Sequence, residues 1–248
     1  MIKLSFDYKL KLYWVFIHIF SLIGLIFYFD IVGLVVSYLI YLIIKGIGSE
    51  IGAHRYFTHK SFKTTKFKEN LLIVLQTFAG EGSILSFVGI HRLHHAFADT
   101  DKDPHSPIYK PWYKVIFLLD PPIIPVNIVK DCIRNPFVKT QHQYYFYIHL
   151  LLLILLFFSP WIYIYFVVLP ILFSIYTNGF INYFLHKYGS RVMGTNARNH
   201  CYLNLFLYGA GYHGNHHVSP SDYRYNKSPW LDPIGEVIDR LFLQNTTN

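Results

Sequence analysis

Apolar residues in this chain gather into long runs, without the alternation of a half-buried strand or the narrow stripe of a surface helix. Four stretches, 12–31, 32–51, 141–158 and 161–182, carry few charges and are each about 20 residues long, enough for a helix to cross the hydrocarbon of a bilayer. The first two meet near Asp30 and the last two at Ser159-Pro160, which predicts two helical hairpins. Two further runs are interrupted. Leu71–Ile90 contains Gln76 and then Gly80-Glu81-Gly82-Ser83, polar groups costly at the bilayer centre, so it predicts an in-plane or partly buried helix. Val115–Val129 carries Asp120, Pro122 and Pro125 and predicts an interfacial loop or short helix. No repeat or shift in composition marks a second domain, and residues 1–248 are read as one.

Charge orients the hairpins. The 22 Lys and Arg are read as confined to three segments: before the first stretch, between the hairpins, and after the fourth; neither hairpin tip carries any. By the positive-inside tendency, both termini and the central segment face the cytoplasm, of either a bacterial inner membrane or the endoplasmic reticulum. The net charge of +8 then belongs to one membrane face, and nucleic acid is excluded as a partner. Cys132 and Cys201 form no CxxC, which excludes a disulfide framework and a thiolate metal site. The first apolar stretch lacks a small-residue cleavage site, so no cleavable signal peptide is expected.

Histidine supplies the chemistry. His54 and His59 bracket HRYFTH, His91, His94 and His95 form HRLHH, and His213, His216 and His217 form HGNHH; His186 follows Asn182 by four residues. Nine imidazoles suit two metal ions better than one, and neutral imidazole suits iron, copper, nickel or zinc. The topology brings all nine to the cytoplasmic ends of the spans. Residues three or four apart share a helix face, so each HxxHH triplet is expected to present its three rings to one centre, and Asn182 to point with His186. His54 and His59 diverge by about 140° on an ideal α-helix; that spacing suits a pair reaching two ions, or a helix that unwinds between them. His18 and His149 are read as packing residues within spans, and His142 and His200 as interfacial or surface residues.

These motifs resemble the histidine boxes of the membrane fatty acid desaturases, most of all the acyl-CoA (stearoyl-CoA, delta-9 type) branch. HRYFTHKSFKT is similar to the first box, His91 to Pro107 to the second box with its Asp-Pro-His segment, Asn182 to Gly189 to the NxxxH segment, and Gly211 to His217 to the third box. The resemblance spans roughly residues 40 to 235. It departs at Gly214 and Ala210, where the family usually has Asn and Glu, and at Phe87, where Trp is common.

The resemblance implies an all-α integral membrane fold: four transmembrane helices in two hairpins, with a cytoplasmic helical cap holding a histidine-rich di-iron site. Two Fe2+ ions would be ligated by His54, His59, His91, His94, His95, His186, His213, His216 and His217, with Asn182 acting through a water. With O2 as co-substrate, the enzyme would introduce a cis double bond into a saturated acyl chain, held as a thioester in an apolar tunnel beneath the irons. Asp99, Asp103 and His105 are candidates to orient the ligand imidazoles, or Asp103-Pro104 simply turns the chain. Lys60, Lys63, Lys66 and Lys68 are candidates for coenzyme A phosphates, or for anionic lipid headgroups. No fused heme or flavin module is evident, so a separate electron donor is expected, a ferredoxin or cytochrome b5 with its reductase. The competing readings are a histidine-box fatty acid or alkane hydroxylase and, in a different class, a membrane metal transporter or sensor. Transport sites commonly lie near the bilayer midplane, whereas these histidines lie at the helix ends.

Overall fold

The computed structural model describes residues 3–4, 7–120, 122–204 and 206–243; the chain ends that the topology assigns to the cytoplasm fall partly outside them. Among the described residues, four helices are long and apolar enough to cross a membrane. Helix α1 (Asp7–Phe27) turns at Asp30 into α2 (Ile31–Thr58). The Asp30 carboxylate caps α2 by accepting from the Val32 and Gly33 amides, and it also accepts from Trp161 Nε1 at 2.8 Å. The Tyr165 hydroxyl accepts from the Asp30 amide at 2.7 Å and donates to the Tyr28 carbonyl at 2.6 Å. The two hairpin tips are thereby tied together.

Helix α2 outruns its expected end at Ile51. From Ile44 to Thr58 its winding loosens to i→i+5 hydrogen bonding, a form that is rare and usually brief. The confinement of basic residues to segments outside the spans is also corrected: Lys45 lies within α2 and is fully buried. A lysine is tolerated there because Nζ reaches Glu81 Oε1 at 2.8 Å, Glu50 Oε1 at 3.2 Å and Ser49 Oγ at 3.1 Å. Ser49 and Ser174 hydroxyls donate to the same Glu81 carboxylate.

The interrupted run Leu71–Ile90 belongs to two helices, α3 (Lys66–Phe78) and α4 (Ile84–Phe97), with Thr65 and Ser83 as side-chain N-caps. Gly80 and Gly82 separate them at φ +77° and +95°, a region that favours glycine. Helix α3 lies hard against α2 at Gly48, where a Cβ would stand 2.6 Å from the Gln76 amide nitrogen. The run around Val115–Val129 holds a short helix (Trp112–Ile116), a strand (Ile124–Pro125) and a single 3-10 turn (Val126–Val129).

Helix α5 (Pro136–Phe158) and helix α6 (Pro160–Phe184) form the second hairpin, each opened by proline at a first-turn position after an Asn135 or Ser159 cap. Trp14 and Ile17 of α1 pack on Val168, Ile171 and Ile175 of α6, while Leu12, Ile19, Val32, Leu39, Phe157 and Phe158 project outward, as lipid-facing residues do. The cap includes the short helices α7 (His213–Val218) and α8 (Pro233–Val237). The otherwise helical chain includes two antiparallel pairs of two-residue strands, Lys3–Leu4 with Ile124–Pro125 and Ser190–Arg191 with Arg198–Asn199.

Candidate metal centre

Local helix geometry decides where each imidazole points. The widened turn of α2 brings His59 back over His54: the His59 amide donates to the His54 carbonyl at 3.2 Å, and their rings lie 5.0 Å apart. Of the two open readings of this spacing, the unwound helix is the one observed. On α4, His91 and His95 are separated by one α-helical turn, as are His213 and His217 on α7. His186 sits two residues beyond α6.

Five of these residues, His54, His59, His91, His95 and His216, form one group, and His94, His186, His213 and His217 form another; within each, one nitrogen per ring lies within 4.8 Å of the others. The expectation that each HxxHH triplet serves one centre is therefore corrected. Helices α4 and α7 each send their i,i+4 pair to one group and the intervening histidine to the other. The reason is angular: residues four apart overlap in projection, whereas neighbours on a helix differ by about 100°.

The donor atoms fit metal ions. Nε2 atoms face one another at 3.1 Å for His54 and His216, 3.0 Å for His95 and His216, and 3.0 Å for His186 and His213. Two imidazole nitrogens bound at right angles to one ion at about 2.1 Å stand about 3.0 Å apart. The opposite edge of several rings is committed elsewhere: His94 Nδ1 lies 2.8 Å from Asp103, His186 Nδ1 3.0 Å from Asp99, and His54 Nδ1 3.3 Å from Glu50. A proton held on Nδ1, as the carboxylates beside His54, His94 and His186 favour, leaves the Nε2 lone pair free for a cation. His59 Nε2 and His94 Nε2 are buried with no hydrogen-bond partner among the described residues. Burial, reinforced by neighbouring imidazoles, holds His91, His94, His213, His216 and His217 well below the usual histidine range, and His95 down to about 3. Burial thus favours the neutral form that ligation requires.

Asp103 does more than turn the chain. Its second oxygen accepts from the Asp99 amide at 2.8 Å, and the first also accepts from the His105 amide at 2.7 Å. His105 is buried and meets His94 only ring to ring, at 5.4 Å; burial lowers it to about 4. Removing a carboxylate behind a ligating histidine typically costs 10–100-fold in metal affinity. Asp103→Asn is expected to fall in that range, read as the chelator concentration that strips half the bound metal; unchanged retention would remove Asp103 from the site.

Several supports escaped the sequence reading. Glu50 reaches His54 from one turn earlier, and the Tyr225 hydroxyl lies 3.2 Å from His54 Nδ1. Arg55 stacks on the Tyr225 ring at 3.8 Å and pairs with buried Asp232 at 3.3 Å. Glu50 was legible, since i and i−4 share a face; Tyr225 and Asp232 come from a distant segment.

Asn182 lies in the last turn of α6, four residues before His186. It is buried and lines two narrow cavities of about 20 Å³ each, shared with Glu81, His105, Leu118 and Asn178. Phe87 stacks on His91 at 5.8 Å. Gly214 leaves no room for a side chain, because a Cβ would approach Val192 Cγ2 at 2.5 Å and the Ala197 carbonyl at 3.0 Å. Lys60, Lys63 and Lys66 line a separate cleft, and Lys68 does not. The other four histidines stand apart. His18 Nδ1 meets the Trp14 carbonyl at 2.6 Å, His149 lies between the Tyr13 hydroxyl and the Thr77 carbonyl, His142 faces Ser83, and His200 Nδ1 accepts from the Leu203 amide.

Comparison with known proteins places these features in a wider group. The family model described as fatty acid desaturase matches residues 29–230, a range containing all nine histidines of the two groups. The chain is 31% identical over 203 residues to the sn-1 stearoyl-lipid 9-desaturase of Anabaena variabilis, covering 79% of this chain and 75% of that one. It is 30% identical over 230 residues to Delta-9 acyl-lipid desaturase 2 of Arabidopsis thaliana, covering 87% and 73%. It is 31% identical over 212 residues to a probable acyl-CoA desaturase of Schizosaccharomyces pombe, covering 78% of this chain and 43% of that one.

Proposed function

The chain belongs to the fatty acid desaturase family, and from that premise we propose that it introduces a cis double bond into a saturated fatty acyl chain, using two irons, O2 and electrons from a separate carrier. The observation that carries the reading is the pair of close-set, largely buried histidine groups at the ends of the spans. His54, His59, His91, His95 and His216 would hold one ion, and His94, His186, His213 and His217 the other, with Asn182 acting through a water. The bound irons would supply the oxidation that acid–base groups cannot perform on an unactivated methylene.

The chain's own residues do the rest. Glu50, Asp99 and Asp103 fix the orientation and tautomer of the imidazoles they touch. Burial disfavours the protonated form of His91, His94, His213 and His216. The reaction removes two hydrogens from adjacent carbons and, with O2, two electrons and two protons, yields the alkene and two waters. The two electrons come from outside the chain, from a ferredoxin or from cytochrome b5 with its reductase. His95 and His217, one from each group, stack at 4.2 Å and line a surface cleft with Gly194 and Asn196, which suits electron entry there.

The test is a fatty acid profile by gas chromatography–mass spectrometry in a host without its own aerobic desaturase, with an electron carrier co-expressed. A new monounsaturated acid is the expected result, and a hydroxy acid would instead establish the hydroxylase reading. An unchanged profile, with protein in the membrane, would return the chain to metal transport or sensing. We take coenzyme A as the acyl carrier. The names of the Anabaena and Arabidopsis relatives favour a lipid-linked chain as a second reading, so membranes are to be supplied with stearoyl-CoA or with stearoyl phospholipid. Both termini and the histidine groups are placed on the cytoplasmic side of a bacterial inner membrane or the endoplasmic reticulum. A reporter fused at the C-terminus should register the cytoplasm, and a signal from the opposite side would overturn the orientation.

A further inference from the structure

A cavity of about 660 Å³ lies away from the histidines, walled by the end of α2, the link to α3 and the segment leading into α5. Its lining includes an aromatic floor, with Tyr56 and Phe62, and a basic rim. The two carboxylates in that lining are already satisfied. Asp131 is held by Arg92 at 2.8 and 3.0 Å and by Lys60 at 2.7 Å. Glu69 accepts from Lys66, from the Tyr56 hydroxyl at 2.6 Å and from Asn135 at 2.6 Å. Lys63 and Arg134 line the same cleft and have no acidic partner among the described residues. Thr64 Oγ1, also in the lining, is buried without a hydrogen-bond partner among the described residues. A buried unpaired hydroxyl beside two unpaired cations asks for an acceptor with several oxygens.

Position says which acceptor. Helix α2 ends at Thr58 and α5 begins at Pro136, so the cleft sits where two spans leave the bilayer, at headgroup depth; this step rests on reading those helices as spans. We propose that the cleft binds the phosphate of an anionic membrane phospholipid, with Lys63, Arg134 and Thr64 Oγ1 as donors and the glycerol and upper acyl carbons against Tyr56 and Phe62. The shared chemistry is a phosphate on an apolar stem, which coenzyme A also offers, and the experiment separates the two sources.

The full chain, purified in neutral detergent, would be titrated with phosphatidylglycerol or phosphatidylcholine and the bound lipid counted by native mass spectrometry. Binding of phosphatidylglycerol in preference to phosphatidylcholine is expected. Lys63→Ala with Arg134→Ala should weaken it roughly 30-fold, at about 1 kcal/mol for each cation. Thr64→Val should weaken it less, and circular dichroism would verify that each variant is folded. Unchanged lipid binding in the double variant would overturn the proposal. So would an equal loss from Lys187→Ala with Arg191→Ala, which lie elsewhere. Binding of free coenzyme A that displaces the lipid would assign the cleft to the soluble carrier and overturn the lipid assignment. The readout is binding, so its failure is distinct from failure of the desaturase reading.

Discussion

Replacing His94 with alanine is expected to abolish the unsaturated product while leaving the protein in the membrane at the wild-type level. His94 is fully buried; its Nδ1 lies 2.8 Å from Asp103, and its Nε2 has no hydrogen-bond partner among the described residues. Its loss cuts the four-histidine group to three, and no neighbour replaces it: His95 Nε2 is engaged with His91 and His216 at 3.1 and 3.0 Å. The fold survives because Asp103 keeps the amides of Asp99 and His105 as donors. Product by mass spectrometry and metal per purified chain are the two readouts, and the metal content should fall by half or more. Full product in the variant would exclude His94 from the centre.

The largest effect on stability is expected at Lys45. Its ammonium is enclosed by Glu81 and Glu50 inside a span, and replacement by methionine leaves two buried carboxylates with a deficit of one positive charge. Breaking a buried pair from one side costs roughly 3–5 kcal/mol, enough to lower the unfolding temperature in detergent by many degrees or to prevent accumulation. Lys45→Met combined with Glu81→Gln removes both charges of the closest contact and is expected to recover a large part of the loss. A single variant as stable as the wild type, or a double variant no better than the single, would contradict the assigned network.

These two residues also mark how far the sequence could be read. The four spans were legible because hydrocarbon thickness imposes a length that hydropathy reports directly. The histidines were legible as candidates because their spacings follow the helix repeat. Their distribution was not: it depends on how α4 and α7 rotate against α2 and α6, which only tertiary packing determines. The extension of α2 past Ile51 was hidden because His54, Arg55 and Thr58 end the apolar run while the helix continues, and the compensation of Lys45 by Glu81 comes from 36 residues away. Gly80 and Gly82 were visible, yet only their positive φ separates α3 from α4. Tyr225 and Asp232, 171 and 177 residues from the side chains they support, carry no local signal at all.

The crosswise sharing of α4 and α7 has a consequence for how such a protein can change. With one helix feeding both groups, the interval between the two centres is set by helical pitch, about 1.5 Å per residue, and not by the length of any loop. Insertions in the links around the cap, or exchanges along the cavities and clefts beside it, leave that interval as it was. The lining of the cavities and the spacing of the two histidine groups are thus separately heritable: the first can drift by single substitutions, while the second changes only when a helix gains or loses a residue.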